Sequence, residues 1–318
     1  MINTGQSAIY YLASKVYESD PGSSSHWQKY HSHFEFTGDG FKGLEGFGGC
    51  SPSPVGLRSL AHQLLQFRFR KMGKSFPSFN RVDREAKNIT ASQNRHYDLD
   101  VLRQTLSVSF LQTTIPARLT SSSMACVIGD GFASMTSLLL ATQSAGCVVL
   151  VNLTKTLLVD LWYLKLWLGA DDFDARVNLV SDSTSLEKIK KEWDSQPEIG
   201  LVIAFEARDQ YLLKACPVDY AVNIVAMQEM DPPVTTGYFN DLRTIAGSRK
   251  LFFYCCNREE KTLPDATITR FEDYPWLAED QILTEERCPW HQFYYSKRPP
   301  FYHPYNPIRH KLVVMASK

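Results

Sequence analysis

The sequence lacks an excess of charge of either sign. Its 318 residues contain 34 basic and 34 acidic side chains, so the formal net charge is zero. Proteins that bind nucleic acid through the phosphate backbone usually carry a positive field over the whole domain. The densest basic cluster, Arg68, Arg70, Lys71 and Lys74, is typical of a solvated helix face. We therefore expect no nucleic-acid partner.

Long apolar runs and paired cysteines are also missing. No apolar stretch reaches the roughly 20 residues that span a bilayer, and the N-terminal region shows no basic segment followed by an apolar run. The seven cysteines are odd in number and form no CxxC pair, which favours reduced thiols. The sequence thus predicts a cytoplasmic protein without a membrane partner.

The sequence assigns no metal ligand and leaves metal dependence open. The adjacent Cys255 and Cys256 would point to opposite faces of a strand. No acidic cluster has clear metal-ligand spacing, since Asp171-Asp172 and the run 258–261 look like solvated charge.

The first 120 residues carry three helical patterns joined by long connections, at Ser7–Tyr17, Leu57–Met72 and Asp98–Thr113. We interpret residues 1–120 as a mainly helical cap or substrate region. The partner that we expect is a small-molecule substrate, and a homodimer through the N-terminal helices stays open.

The pattern changes near Ser121, where apolar strands begin to alternate with helices. This alternation predicts an α/β fold with a mostly parallel sheet over residues 121–318. The predicted strands are Met124–Ile128, Cys147–Val151, Val177–Val180, Leu201–Phe205, Tyr220–Met227 and Leu251–Cys256. Two further strand-like segments, Ala266–Phe271 and Lys311–Ala316, have no helical crossover between them, so we expect them to pair antiparallel at the sheet edge.

A glycine turn follows the first of these strands. Gly129-Asp130-Gly131 lies between the strand Met124–Ile128 and a helical pattern that begins at Phe132. Glycines in this position permit a tight turn and close approach of the backbone to a ligand, and the helix N-terminus offers free N–H groups. The context indicates a nucleotide-cofactor site.

A ribose contact is expected at the end of the second strand, about 20 residues further on. Asn152 occupies that place, and its amide can both donate and accept hydrogen bonds. A turn residue or a helix cap is the alternative interpretation of Asn152. Ser134 stands where a dinucleotide fingerprint has a third small residue, which does not exclude a dinucleotide. The antiparallel last strand and the aromatic tail favour S-adenosylmethionine.

The chain resembles a family of sugar O-methyltransferases among the class I S-adenosylmethionine-dependent enzymes. Three stretches within roughly the last 200 residues carry the resemblance: Val127–Ala133, Val149–Thr156, and Asp219–Asn223 with Gln228-Glu229-Met230 and Gly237-Tyr238-Phe239. The sequence departs from the family pattern at Asn152, where an acid is usual, at Ala133, which replaces a glycine, and at Val127.

The resemblance implies a class I methyltransferase Rossmann-like sheet and a set of cofactor contacts. The amino-acid end of the cofactor would lie against the glycine turn, the ribose and adenine against the second strand, and the adenine amine near the third. The residues implied are Gly129, Asp130, Gly131, Phe132, Asn152, Leu153, Ser181, Asp182, Met227 and Gln228.

Methyl transfer to a sugar hydroxyl needs a group that removes the hydroxyl proton, which contributes roughly 10²–10⁴-fold. Glu229 is the first candidate because it follows a parallel strand at the sheet edge where ligands bind. Contact with substrate hydroxyls is its alternative role. His303, in the aromatic tail, is the second candidate because histidine titrates near neutrality. His31 and His33 are less favoured.

Three other functions remain open from the sequence. N-methylation of a small nitrogenous metabolite would use the same fold with less need for a base. A binding module without catalytic activity would fit the departures at Ala133 and Asn152. A dehydrogenase is the third.

Overall fold

We analysed a computed structural model, which describes residues 2–44, 57–197, 199–296 and 298–317, with residues 57–60 in backbone only. Ten helices lie in these ranges: α1 (Gly5–Ser14), α2 (Ser25–His31), α3 (Leu57–Gly73), α4 (Phe79–Ser92), α5 (Leu99–Thr114), α6 (Ser134–Ala141), α7 (Thr154–Leu168), α8 (Ala170–Arg176), α9 (Ser183–Ser195) and α10 (Pro232–Ala246).

Fifteen strands are found in the same ranges. They are β1 (Ile2–Thr4), β2 (Glu35–Phe36), β3 (Phe41–Lys42), β4 (Met124–Ile128), β5 (Cys147–Asn152), β6 (Val177–Val180), β7 (Leu201–Glu206), β8 (Tyr220–Ile224), β9 (Phe252–Arg258), β10 (Glu260–Thr262), β11 (Ile268–Arg270), β12 (Gln281–Arg287), β13 (Phe293–Tyr295), β14 (Tyr302–Pro304) and β15 (Ile308–Val314).

Nine strands form the central sheet in the order β1-β6-β7-β5-β4-β8-β9-β15-β12. The six from β6 to β9 are parallel, and β15 runs antiparallel between β9 and β12. This arrangement confirms the predicted fold class, a mostly parallel Rossmann-like sheet with an antiparallel last strand. The N-terminal strand β1 pairs antiparallel with β6 and so belongs to the same sheet.

The sheet is covered on both faces, because the parallel strands carry apolar residues on each of their two faces. In β4, Ala125 and Val127 pack with the layer that contains α1 and α4–α7, whereas Met124, Cys126 and Ile128 pack with the layer that contains α9 and α10. Burial of both faces explains why these strands appear in the sequence as continuous apolar runs.

The expected pairing of the tail strands is wrong. The segment Ile268–Arg270 pairs with β10 in a small hairpin, and the neighbour of β15 at the sheet edge is β12. The residues of β12, Gln-Ile-Leu-Thr-Glu-Glu-Arg, are largely exposed. A polar edge strand lacks the apolar run that reveals an interior strand.

Within the described residues, no helix combines the length and apolar character needed to cross a membrane.

Candidate active site

A cavity of about 520 Å³ opens where the parallel strands β4, β5, β7, β8 and β9 end. Open α/β sheets bind ligands at this edge because the loops that follow the strands converge there. Its lining comes from residues after each of these strands, from the segments before and within α5, and from the aromatic tail.

The turn after β4 is built for close backbone approach. Gly129 and Gly131 have φ of +69° and +76°, which favour glycine. A Cβ on Gly129 would lie 2.5 Å from the Cβ of Ala226, in the turn after β8. Phe132 and Ala133 follow with φ of +57° and +47°, an uncommon conformation for residues with side chains.

Asp130 shapes this turn by capping α6. Its carboxylate accepts the main-chain N–H groups of Met135 (2.8 Å) and Thr136 (2.7 Å). Burial raises the pKa of Asp130, although these hydrogen bonds act to lower it. The residue lines the cavity, but its side chain is already bound to the helix N-terminus.

A buried carboxylate joins the glycine turn to the second strand. Asp160 of α7 accepts the N–H of Ala133 (2.9 Å) and the side-chain amide of Asn152 (2.8 Å). Burial and the neighbouring charge of Asp130 raise its pKa well above the usual range. The sequence analysis missed Asp160, although a lone acid in an otherwise apolar helix indicates a buried polar contact.

The strand next to β5 is β7, so the structure does not bring Ser181 and Asp182 to the cavity. Both residues follow β6, one strand further out, and Asp182 caps α9 by accepting the N–H and hydroxyl of Ser185. The predicted position of Ser181 and Asp182 beside Asn152 is therefore wrong, because β7 lies between β6 and β5 in the sheet.

The place beside Asn152 belongs to the end of β7, where Glu206 is paired with Asn152 in register. Glu206 is buried and forms ion pairs with Arg208 (2.9 Å) and Lys15 (3.3 Å). Arg208 and Gln210, in the segment that follows, line the cavity along with Asn152 and Leu153.

The turn Met227–Glu229 after β8 also contributes to the cavity wall. Gln228 and Glu229 line the cavity, whereas Met227 is fully buried in the core and is not part of the lining. The side-chain oxygen of Gln228 accepts the N–H of Arg258 (2.8 Å), so its orientation is fixed.

Glu229 is held by two basic side chains. One carboxylate oxygen lies 2.6 Å from the ammonium of Lys261, and the other lies 3.3 Å from Nε2 of His26. Burial acts to raise the pKa of Glu229, but the hydrogen bond and charge of His26 and the charge of Lys261 outweigh it and lower the pKa. Glu229 is therefore ionised at neutral pH, with both oxygens engaged.

The structure does not bring His303 to the cavity. It belongs to β14, where its ring stacks on Tyr294 at 5.0 Å between centroids and hydrogen-bonds with Ser296. The same tail contributes His291 and Tyr305 to the lining instead. Sequence reasoning found the aromatic tail but not which of its residues face the cavity.

Asp98 is a second carboxylate that sequence reasoning missed. It is the N-cap of α5, where one oxygen accepts the N–H groups of Asp100 and Val101 at 3.0 Å. Burial, with the charge of Asp100, raises its pKa to about 6. Asp98 lines the cavity, and the pattern at 98–113 had indicated only a helix.

Arginines are concentrated around the cavity. Arg95 is buried, donates to the hydroxyl of Ser134 (3.0 Å) and lies 4.6 Å from the ring centroid of Phe132, so it lies beside the glycine turn. Arg258, at the end of β9, lies 5.4 Å from the ring centroid of Tyr305. Both line the cavity, and they come from segments far apart in the sequence.

No protein-family model and no curated protein matches the chain. Among solved structures, it is similar to one from work on the conversion of a disulfide bond into a thioacetal group during echinomycin biosynthesis (TM-score 0.38, 10% identity, 66% of this chain and 81% of that chain). It is also similar to the methyltransferase domain of bacterial CtHen1 (0.34, 11%, 69% and 100%) and to coclaurine N-methyltransferase bound to N-methylheliamine and SAH (0.31, 11%, 74% and 74%). Similarity at this level bears on neither substrate nor mechanism.

Proposed function

We propose that the protein is an S-adenosylmethionine-dependent methyltransferase that acts on a hydroxyl of a sugar, nucleotide-sugar or glycosylated small molecule. The strongest support is that one cavity is lined both by the glycine turn after β4 and by carboxylate, amide, arginine and aromatic groups. Its volume of about 520 Å³ falls in the range of small-molecule sites.

The residues around the glycine turn fit the cofactor. A Cβ on Gly129 would clash with Ala226, so the glycine lets the turn after β4 pack closely against the turn after β8. The amino-acid end of the cofactor would lie against this backbone. Arg95 offers a buried guanidinium for the cofactor carboxylate, since guanidinium and carboxylate pair by charge-assisted hydrogen bonds. Asn152, oriented by Asp160, would hold the ribose, and Arg208 would lie near the adenine.

When bound, S-adenosylmethionine supplies an electrophilic methyl group, so the protein must align the acceptor and accept its proton. Asp98 suits proton removal, because a pKa of about 6 leaves it ionised at neutral pH yet basic enough to accept a proton. Only one of its oxygens is used in capping α5.

Glu229, the first candidate from the sequence, stays a candidate base with a weaker physical basis. Its lowered pKa and its contacts with Lys261 and His26 reduce its basicity. In this proposal Glu229 and Gln228 bind acceptor hydroxyls and position them for Asp98.

Arg258 favours an acceptor that carries an anionic group. It lies at the end of β9, is half-buried, and has no carboxylate at ion-pair distance among the described residues; its Nε is buried without a hydrogen-bond partner there. The neighbouring ring of Tyr305 offers a face on which a sugar or base can stack. A nucleotide-sugar supplies both a phosphate and stacking surfaces.

The first test is a calorimetric titration of the purified protein with S-adenosylmethionine, S-adenosylhomocysteine and NADH. Binding of the first two but not of NADH supports the proposal, whereas binding of none at millimolar concentration contradicts it.

The second test measures transfer of a labelled methyl group to nucleotide-sugars, neutral glycosides and small amines. Cofactor binding without transfer to any acceptor would favour a binding module, and transfer to amines alone would favour N-methylation. The homodimer and the cytoplasmic location stay predictions.

A further inference from the structure

Three buried side chains of types that bind metals meet beside the cavity: Cys256, Cys288 and His291. Their ligand atoms all lie within 4.8 Å of one another. Cys256 belongs to β9, and the other two lie on the segment that follows β12. His291 lines the cavity, while the two cysteines lie in the core behind it.

The His291 imidazole forms no hydrogen bond through either ring nitrogen among the described residues. The residue is 2% exposed, and both ring nitrogens are buried without a hydrogen-bond partner there. A neutral imidazole carries one donor and one acceptor, and buried polar groups in native proteins are rarely left unpaired. Two unpaired nitrogens on one buried ring indicate that a ligand belongs at this place.

The backbone holds the three groups in position. The N–H of Cys288 donates to the carbonyl of Ile308 (2.8 Å), which ties the segment to β15, and the N–H of His291 donates to the carbonyl of Cys288 (3.1 Å). Arg103 of α5 donates to the carbonyl of Trp290 (3.2 Å). The turn Pro289–His291 is thus fixed on both sides, so the potential ligands are held in place by the fold.

The ligand chemistry selects among metals. Two thiolates and one imidazole are the donors that zinc prefers, whereas calcium and magnesium prefer oxygen. Two thiolates, a neutral imidazole and Zn²⁺ sum to zero net charge, so the filled site can lie in an apolar core without an uncompensated charge.

Other accounts of the cluster explain less of it. The sulfur atoms of Cys256 and Cys288 lie within 4.8 Å of each other, so a thiol pair or a disulfide would account for the cysteines. Neither account gives His291 a partner for its ring nitrogens. A metal ion satisfies the thiols and one ring nitrogen together, and it leaves the other nitrogen protonated as a donor.

We propose that Cys256, Cys288 and His291 bind a zinc ion in the wall of the cavity, with a coordination position open to water or to an oxygen of the acceptor. Three protein ligands with one open position characterise catalytic zinc sites, whereas structural sites usually have four. Zinc binding at this cluster does not depend on methyl transfer, so it can hold or fail independently of the proposed function.

The experiment uses the full chain, purified under reducing conditions and freed of metal, and measures zinc uptake by elemental analysis. Cobalt(II) is then added in place of zinc, because thiolate ligands produce a charge-transfer absorption in the near ultraviolet. Cys288→Ser and His291→Asn are the test variants. Cys255→Ser is the matched control, since Cys255 is the neighbour of Cys256 on the opposite, equally buried face of β9.

The wild type and Cys255→Ser should take up stoichiometric zinc and show the cobalt–thiolate absorption. Cys288→Ser should lose both, and His291→Asn should lose stoichiometric zinc. If a variant does not fold, as judged by circular dichroism, the wild-type cobalt spectrum decides alone. Absence of thiolate absorption in the folded, reduced wild type overturns the proposal. So does equal zinc uptake by wild type and folded Cys288→Ser, or a Cys256–Cys288 disulfide whose reduction restores no metal binding.

Discussion

The side-chain nitrogen of Asn152 lies 2.8 Å from one carboxylate oxygen of Asp160, whose other oxygen accepts the N–H of Ala133 at 2.9 Å. One buried carboxyl group therefore fixes both the glycine turn after β4 and the polar side chain at the end of β5. The two features by which the sequence suggests a nucleotide cofactor are coupled through a residue in neither motif.

Replacing Asp160 by alanine should lower both stability and cofactor affinity. The change leaves the N–H of Ala133 and the amide of Asn152 without their acceptor in a buried place, which costs about 2 kcal/mol of unfolding free energy. Urea denaturation measures this cost, and S-adenosylmethionine titration measures the affinity. Asp171→Ala, on the exposed face of α8, is the control and should stay within about 0.5 kcal/mol of wild type. An equally small effect for Asp160→Ala would show that the network contributes little.

Asp98 and Glu229 can be distinguished by the pH dependence of the reaction. Because the Asp98 pKa is raised to about 6, kcat/KM should fall as the pH drops through about 6 and Asp98 becomes protonated. Asp98→Asn should retain S-adenosylmethionine affinity, lose turnover by roughly 10²–10⁴-fold, and lose this acidic limb. Glu229→Gln should keep cofactor affinity and the acidic limb, with the larger effect on KM for the acceptor. A greater loss of turnover in Glu229→Gln than in Asp98→Asn would make Glu229 the base.

The ion pair between Lys261 and Glu229 should make the free energy of unfolding fall on acidification. In a variant without the lysine, acidification should instead raise it. In the wild type the folded pKa of Glu229 lies below its ordinary 4.5. Its stabilising contribution is therefore complete above pH 4.5 and lost as the pH falls through the folded pKa.

In Lys261→Met, burial should dominate and raise the Glu229 pKa. The variant should lose about 3 kcal/mol at neutral pH, since a buried carboxylate loses one of its two basic partners. Part of that loss should be recovered on acidification, as Glu229 takes up a proton. Unfolding free energies measured from about pH 3 to about pH 7, across and above the ordinary carboxyl range, test the reversal. Parallel curves for wild type and variant would show that the pair does not set the Glu229 pKa.

The sequence predicts the parts of this molecule that depend on local patterns. Strands β4, β5 and β6 are buried apolar runs, and the glycines after β4 need positive φ, so these elements were predicted close to their observed bounds. Helix α4 was missed, although Phe79, Val82, Ala86 and Ile89 are its buried face and have helical spacing.

The composition of the site was less predictable because it depends on which strands are neighbours. The sequence order of β6 and β7 suggests that β6 lies beside β5, but the chain crosses over and returns, so Glu206 rather than Asp182 lies next to Asn152. Arg95, Asp98 and His291 belong to segments whose local patterns indicate only a helix boundary or an aromatic loop. Their convergence arises from tertiary packing and has no local signal.

Arg95 should determine recognition of the cofactor carboxylate. Replacing it by methionine removes a charged donor beside the glycine turn, and a charge-assisted hydrogen bond of about 1.5–3 kcal/mol corresponds to roughly 10–100-fold in Kd. Arg95→Met should bind S-adenosylmethionine and its decarboxylated analogue equally weakly, whereas the wild type should prefer the former. Arg84→Met, on the exposed side of α4, controls for loss of a positive charge. A retained preference in a folded Arg95→Met would assign the carboxylate to another residue.

Arg258 should determine the charge of the acceptor. Its guanidinium lies 5.4 Å from the ring centroid of Tyr305 and donates to the Tyr305 hydroxyl (3.3 Å). No carboxylate lies at ion-pair distance from it among the described residues, so an anionic acceptor would supply the missing counter-charge. Arg258→Met should raise KM for a nucleotide-sugar roughly 10-fold or more, because a charge-assisted contact is lost, and should leave KM for a neutral glycoside nearly unchanged.

Arg298→Met is the control, since Arg298 is exposed and does not line the cavity. The KM ratio of the two acceptors is the deciding measurement, because a general loss of stability would raise both values together. If wild type and Arg258→Met give the same ratio, the guanidinium does not contact the acceptor, and the preference for an anionic substrate has no basis in this residue.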